Sequence, residues 1–228
     1  MNTKHLIKFV QQIYKSRDFI PLHSPSFLKA DEDRVLETIR STYVSSVGRY
    51  VGKFEDALCS LTSSKGAVAT VNGTAALHAS MHVRGISNND YVITQALSFV
   101  ATCNAILYTG AKPIFVDVSK KTLGMCPIAL EEFLKLHADV VDGRCIYKKD
   151  KRTIKAVIPM HTFGHPVEID KIAKICSEWK IDLIEDAAES LGSTFKGKHL
   201  GTFGLLGITS FNGNKIITSG AGGMIFCS

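Results

Sequence analysis

Residues 67–83, AVATVNGTAALHASMHV, contain a short apolar strand (Ala67 to Val71), a polar turn and a helix (Thr74 to Val83). This alternation continues as far as Glu185. Along this stretch, short β-branched runs are separated by helical segments of roughly 10–13 residues. Strands that are apolar along their whole length are typical of a sheet buried on both faces. The sequence therefore predicts an α/β fold built from βαβ units around a mainly parallel central sheet.

The composition is that of a folded globular chain, with 45% hydrophobic and 21% charged residues among 228. The net charge of +6 comes from 27 Lys and Arg against 21 Asp and Glu, and the basic residues are scattered. A nucleic-acid-binding face normally clusters its charge, so we expect no nucleic-acid partner. The densest basic run, KKDKRTIK at 148–155, is predicted to be a solvated loop. The positive excess favours an anionic substrate.

The N-terminus and the cysteine pattern indicate a compartment. Residues 1–19 lack the continuous apolar core and the small-residue cleavage site of a signal peptide. The six cysteines lie far apart, without C-x-x-C pairs or metal-ligand spacing. The uncharged stretch Tyr91 to Ala111 contains too many polar residues for a good membrane-spanning helix. We therefore expect a cytoplasmic protein without a membrane segment.

Two candidate motifs directly follow predicted strands, where open α/β sheets bind their ligands. In Asn72-Gly73-Thr74-Ala75, the glycine permits close backbone approach, and amides at the helix N-terminus can hold a phosphate. The alternative is an ordinary turn capped by Thr74. The strand Ile181 to Glu185 ends next to Asp186, so one of two acids must point toward the site. A carboxylate there can keep a pyridine nitrogen protonated, or it can act as a helix N-cap.

A third motif, Ser210-Phe211-Asn212-Gly213-Asn214-Lys215, begins at the end of the predicted strand Gly207 to Phe211 and continues past it. Lys215 is a candidate nucleophile for a carbonyl, and Ser210 a donor to a phosphate, whereas an isolated lysine is usually a solvated charge. Phe99 could stack on a flat ring or belong to the core. His161 and His165 are spaced by four residues, but Gly164 and Pro166 oppose a helix there, so we expect no metal.

Together these motifs form one set: a phosphate cradle, a stacking ring, a carboxylate for a ring nitrogen, and a lysine. The segments that carry them are VSSVGRYVGKFE, NGTAAL, SFVATCNAI, GAKPIFVDV, IEDAAESLGS and SFNGNKIITSGAGGMI. In order and spacing these segments resemble the DegT/DnrJ/EryC1/StrS family of sugar aminotransferases, which use pyridoxal 5′-phosphate (PLP). The resemblance covers the chain from about Phe19 onward.

The resemblance implies the type I, aspartate aminotransferase-like fold and a role for each candidate. It makes Lys215 the lysine that bonds the cofactor and shuttles a proton, and Asp186 the partner of the pyridine nitrogen. The other cofactor-binding residues that it implies are Gly73, Thr74, Ala75 and Ser210 at the phosphate, Phe99 on the ring, and Glu189, which lies where many members carry His or Gln near the cofactor's hydroxyl. The role of His161 stays open.

The implied reaction moves an amino group from a donor, usually glutamate, to a nucleotide-linked keto-deoxy sugar. FIPLHSPSF and VSSVGRY are most similar to members that act on UDP-linked 4-keto-6-deoxy-N-acetylhexosamines. The alternatives are a PLP-dependent sugar dehydratase, whose members carry histidine in place of Lys215, and an inactive fragment with a binding or regulatory role.

Family chains continue beyond a position equivalent to Ser228. We therefore expect residues 1–30 to form an N-terminal arm and residues 31–228 a PLP-binding large domain that lacks its C-terminal remainder and the small domain. The resemblance also implies a homodimer.

Overall fold

Helices and strands alternate through most of the chain in a computed structural model, which describes residues 2–228. The helices are α1 (Thr3–Tyr14), α2 (Lys29–Arg40), α3 (Arg49–Thr62), α4 (Gly73–Val83), α5 (Val100–Tyr108), α6 (Pro127–His137) and α7 (Ile169–Trp179). The strands are β1 (Gly66–Thr70), β2 (Asp90–Gln95), β3 (Lys112–Val116), β4 (Ala138–Val141), β5 (Arg144–Tyr147), β6 (Thr153–Ile158), β7 (Asp182–Asp186), β8 (Thr194–Phe195), β9 (Lys198–His199), β10 (Leu206–Ser210) and β11 (Gly223–Cys227).

The central path of the main sheet runs in the order β1-β11-β10-β7-β6-β2-β3. From β10 to β3 every pairing is parallel. Strand β11 alone runs against this direction on the path, since it pairs antiparallel with both β1 and β10. The predicted α/β fold with a mainly parallel sheet is confirmed.

Helices cover both faces of this sheet, because successive strand residues point to opposite sides. Ile184 and Ile208 pack with Leu77 and Met81 of α4 and with Ile106 of α5. On the other face, Leu183 and Val157 pack with α6 and α7, and Met224 and Phe226 pack with Leu58 of α3. This three-layer arrangement leaves the carboxyl ends of the parallel strands free for ligand-binding loops.

The β4–β5 hairpin was not predicted from the sequence. It joins two short strands through Asp142 and Gly143, both in the left-handed region with φ of 49° and 72°. Asp-Gly between β-prone residues is a strong signal for this two-residue turn. Residues 148–152 (KKDKR) connect the hairpin to β6, so that part of the run is a loop as predicted, while Thr153 already belongs to the strand.

The N-terminal segment contributes little to the core. Neither α1 nor α2 contains a buried residue, and apolar side chains such as Phe9, Phe19 and Leu22 are exposed. The boundary of an arm at residue 30 stays a prediction. Within residues 2–228, no helix combines the length and the apolar character needed to cross a membrane.

Candidate active site

The candidate residues gather at the carboxyl ends of β1, β7 and β10. Strand β7 ends with Asp186, and β10 ends with Ser210. Gly73, the first residue of α4, lies two residues after Val71, which directly follows β1. Adjacent β10 and β7 are parallel, so their ends lie side by side. The sheet topology therefore brings together motifs that are far apart in the sequence.

Lys215 is positioned by a loop that folds back on Phe211. The Thr218 hydroxyl and the Ser219 amide both donate to the Phe211 carbonyl oxygen, at 2.9 and 3.2 Å. Phe211 is anchored in turn, with its buried ring 4.8 Å from that of Phe54. The Lys215 side chain is only 10% exposed, and its Nζ lies 3.1 Å from Glu189 Oε1. The interpretation of Lys215 as a solvated charge is therefore wrong.

Lys215 also faces the aromatic candidate. Its Nζ lies 5.7 Å from the centre of the Phe99 ring, within the range of a cation–π contact. Phe99 precedes the first turn of α5 and is 63% exposed, so its ring belongs to the site opening and not to the core. An exposed aromatic face beside a buried amine is suited to pack on a flat ligand.

Asp186 is the acid that points toward the site. Its Oδ2 accepts a hydrogen bond from the Thr102 hydroxyl at 2.5 Å, and its Oδ1 accepts from the Ala188 amide at 3.2 Å. Burial raises the pKa of Asp186, while these two hydrogen bonds and the charge of Lys215 act in the opposite direction. No helix begins at Asp186 in the structure, so the N-cap alternative is wrong.

Thr102 is a site residue that sequence reasoning missed. It lies on α5, where its hydroxyl also accepts a hydrogen bond from Ser98 at 3.2 Å. The chain Ser98–Thr102–Asp186 fixes the carboxylate against the helix that carries Phe99. The available signal was the four-residue spacing of serine and threonine in SFVATCNAI. That spacing does not reveal a hydrogen-bond partner 84 residues away.

The glycine turn after β1 forms a close approach to β10. A Cβ atom on Gly73 would lie 2.9 Å from Ser210 Cβ and 3.2 Å from its Oγ. Asn72, and not Thr74, caps α4, because its side-chain oxygen accepts from the Ala75 amide at 2.8 Å. Thr74 lies inside the first turn. Three groups suited to an anion thus meet at one point: the helix N-terminus, a bare glycine and the Ser210 hydroxyl.

This contact leads to a prediction for Gly73→Ala. The added methyl group has no space beside Ser210, and overpacking of this kind costs about 1–3 kcal/mol. We expect PLP to bind about tenfold more weakly, as titration of the visible band should measure. Gly52→Ala, in α3 with nothing within 4 Å of the new Cβ, is the matched control. Equal PLP affinity in the two variants would contradict a phosphate-binding role for the Gly73–Ser210 contact.

Glu185, the second acid of the motif, points away from Asp186 into a fully buried network. Its Oε1 accepts from the Phe203 and Gly204 amides, and its Oε2 from the Gly201 amide at 2.9 Å. His161 Nε2 lies 3.0 Å from Oε2, and His161 Nδ1 accepts from the Val167 amide at 3.3 Å. The proton on His161 is therefore at Nε2. Glu185 ties the 201–204 loop and His161 to the strand that carries Asp186.

Glu185→Gln is expected to lower the free energy of unfolding by about 2 kcal/mol. Each carboxylate oxygen faces two donors, so the glutamine NH₂ group must oppose at least one of them wherever it points. Urea unfolding should measure the loss. Glu178→Gln, on an exposed helix surface, is the control and should change stability by less than about 1 kcal/mol. A wild-type unfolding curve for Glu185→Gln would contradict the network.

The two histidines considered as metal ligands do not act as a pair. A 3₁₀ turn, Thr162–Gly164, separates them, and His161 is hydrogen-bonded to Glu185. Across residues 2–228 no three His, Cys, Asp or Glu side chains form a cluster of the kind that holds a metal ion.

The residues present fit PLP. The Gly73–Ser210 approach beside the α4 N-terminus suits its phosphate, the buried Asp186 carboxylate suits its ring nitrogen, and the shielded Lys215 Nζ suits its aldehyde. Phe99 offers an exposed aromatic face to the ring. The fold is that of the type I, aspartate aminotransferase-like class of PLP-dependent enzymes, and the residues at this edge of the sheet fit that cofactor.

Comparison with known proteins places the chain within this class. The profile of the DegT/DnrJ/EryC1/StrS aminotransferase family matches residues 26–228, and the chain belongs to that family. A GDP-perosamine synthase from Escherichia coli O157:H7 is 38% identical over 207 residues, which are 91% of this chain and 52% of that protein. The family is PLP-dependent.

Solved structures agree with this placement. An aminotransferase from Psychrobacter cryohalolentis is 30% identical, with a TM-score of 0.80 over 92% of this chain and 49% of that one. Spr1654 from Streptococcus pneumoniae in its PLP form is 25% identical, with a TM-score of 0.76 over 92% of this chain and 53% of that one. The chain thus spans about half the length of the relatives it matches.

Proposed function

We propose that the chain is the PLP-binding part of an aminotransferase that acts on a nucleotide-linked keto-deoxy sugar, with glutamate as the amino donor. The observation that carries the proposal is the convergence of Lys215 Nζ, the Asp186 carboxylate, the Phe99 ring and the Gly73–Ser210 cradle at one edge of the sheet. Membership of a sugar aminotransferase family supports it.

Each residue has a task that follows from its position. The first-turn amides of α4, at Gly73, Thr74 and Ala75, and the Ser210 hydroxyl would bind the phosphate, with Asn72 sharing the Ala75 amide. Asp186, held by Thr102, would accept a hydrogen bond from the protonated ring nitrogen. When bound, PLP supplies an electrophilic carbon and an electron-withdrawing ring. Lys215 would bond the cofactor through Nζ and, once released, carry a proton at the same atom.

We also propose that residues 31–228 form the PLP-binding large domain, with residues 1–30 as an arm, and that the chain forms a homodimer. The exposed apolar side chains of the N-terminal segment, among them Phe9 and Leu22, support association because such surface is costly in water. Light scattering of the purified chain tests this: a monomer mass would contradict the dimer.

For the substrate we propose a UDP-linked 4-keto-6-deoxy-N-acetylhexosamine. The GDP-perosamine synthase relative supports a nucleotide-linked sugar of the same general kind. The scattered positive charge of the chain is compatible with a diphosphate group.

The proposed aminotransferase reaction can be tested by measuring its two half-reactions separately. The PLP-loaded chain is mixed with glutamate, and the loss of the visible band is compared with the 2-oxoglutarate formed. The UDP-linked keto sugar is then added to one sample and a GDP-linked keto sugar to another. The masses of the products are measured by mass spectrometry. We expect an amino sugar from the UDP substrate.

Each other outcome overturns a specific part of the proposal. A product that lacks an oxygen without gaining nitrogen identifies a dehydratase. Amination of the GDP sugar alone would overturn the nucleotide assignment. No visible band with PLP would favour a binding or regulatory role for the chain.

A further inference from the structure

The Glu189 carboxylate bridges two loops at the site. Its Oε1 lies 3.1 Å from Lys215 Nζ, and its Oε2 accepts the Phe163 amide at 3.1 Å. Phe163 adopts a left-handed backbone with φ of 52°, in the loop that follows β6. Gly164, the next residue, approaches so closely that a Cβ there would lie 2.6 Å from the Glu189 carbonyl oxygen. The carboxylate is therefore held in place through the oxygen that does not contact the lysine.

Among the described residues, the other candidate site side chains do not accept a hydrogen bond from Lys215 Nζ. The Asp186 oxygens accept from Thr102 and the Ala188 amide, so Asp186 acts on the lysine through charge alone. His161 donates to Glu185, which is saturated by its own donors. Phe99 offers only its ring face. In the part of the chain that the structure describes, Glu189 is the hydrogen-bond acceptor of Lys215 Nζ.

The carboxylate accepts one of the Nζ protons at 3.1 Å, and a lysine side chain that is only 10% exposed has little water to replace that partner. An ammonium nitrogen has no lone pair with which to attack a carbonyl carbon. The pair therefore opposes the first step in which Lys215 bonds an aldehyde.

We propose that Glu189 holds the unbonded Lys215 in an ion pair that must break before Nζ can bond an aldehyde, and so restrains covalent capture of the cofactor. This inference rests on the proposed function. In the step it restrains, the Nζ lone pair forms a bond to the aldehyde carbon and the carbon–oxygen bond breaks. The oxygen leaves as water with two of the three ammonium protons, and Nζ keeps the third proton and the positive charge.

The test compares Glu189→Gln with the wild-type chain. Glutamine keeps an oxygen for the Phe163 amide but removes the charge beside Lys215. Without PLP, we expect an amine-acylating reagent to modify Lys215 about tenfold faster in Glu189→Gln, as followed by peptide mass spectrometry. Lys174, whose side chain is 77% exposed on α7, is the internal standard and should react at the same rate in both proteins.

A second readout uses PLP itself. In a rapid-mixing experiment, the visible band should form about tenfold faster in Glu189→Gln than in the wild type. Glu131→Gln, which removes an exposed partner of Lys135 and leaves Lys174 untouched, should change neither readout. Equal or slower acylation of Lys215 in Glu189→Gln overturns the inference. Faster acylation with no visible band in either protein would uphold the lysine–glutamate pair and reject the proposed function.

Discussion

Lys215→Ala is expected to abolish the visible absorption that the wild-type chain develops with PLP. Among residues 2–228, Lys215 is the lysine that lies beside Asp186, Phe99 and Glu189, and its side chain is nearly buried. Alanine has no amine to bond the cofactor, so PLP should remain free or weakly bound. The measurement is an absorption titration of each protein with PLP after removal of unbound cofactor.

Lys174→Ala provides the matched control for this prediction. Lys174 lies on the exposed surface of α7, where its contact with Glu178 spans 3.8 Å. The control variant should give the wild-type band. A full band in Lys215→Ala would move the cofactor site to another lysine and contradict the assignment.

Asp186→Asn is expected to slow the glutamate half-reaction by about 100-fold or more, since removal of a preorganised electrostatic partner typically has that effect. Asparagine keeps the hydrogen bond to Thr102 but cannot hold a proton at the ring nitrogen by charge. Stopped-flow decay of the visible band measures the rate. Asp142→Asn, in the exposed β4–β5 turn where asparagine also tolerates φ of 49°, is the control. A rate within a fewfold of wild type would remove Asp186 from the site.

The Asp186→Asn substitution is also expected to change how the free energy of unfolding depends on pH. Burial raises the pKa of Asp186, so the fold favours the protonated acid. That contribution is fully present below the unfolded pKa of about 3.9 and is lost as the pH rises through the folded value. Asparagine stays neutral throughout. In the cofactor-free chain, the unfolding free energy of Asp186→Asn relative to wild type should therefore be higher at pH 7 than at pH 4.

Urea unfolding at the two pH values tests this difference, and any constant effect of the substitution cancels. An unchanged or reversed difference between pH 4 and pH 7 would contradict the burial argument. A site residue that weakens the cofactor-free fold is expected where function needs a charge in the interior.

The fold was largely predictable because its signals are local. The strand and helix between Ala67 and Val83 follow from apolar runs and a glycine turn, and the structure places β1 and α4 there within one residue. The β4–β5 hairpin was missed although Asp142-Gly143 is a recognised turn pair. A short antiparallel hairpin interrupts the βαβ rhythm, and that rhythm dominated the sequence pattern.

The site was predictable in residue type but not in contacts. Sequence spacing identified Asp186 and Lys215 as candidates, yet it could not decide which of Glu185 and Asp186 faces the site. That choice depends on the pairing of β7 with β10 and on three loop amides at 201–204. The partnership of Thr102 with Asp186 likewise exists only once α5 packs beside β7.

The proposed bond between Lys215 and the cofactor can be tested directly. The chain is incubated with PLP, treated with borohydride to make the bond permanent, and digested for peptide mass spectrometry. We expect the cofactor on the peptide that contains Lys215, and we expect Glu189→Gln to be labelled at the same residue. Label on any other lysine, or no label in a folded chain, would contradict it.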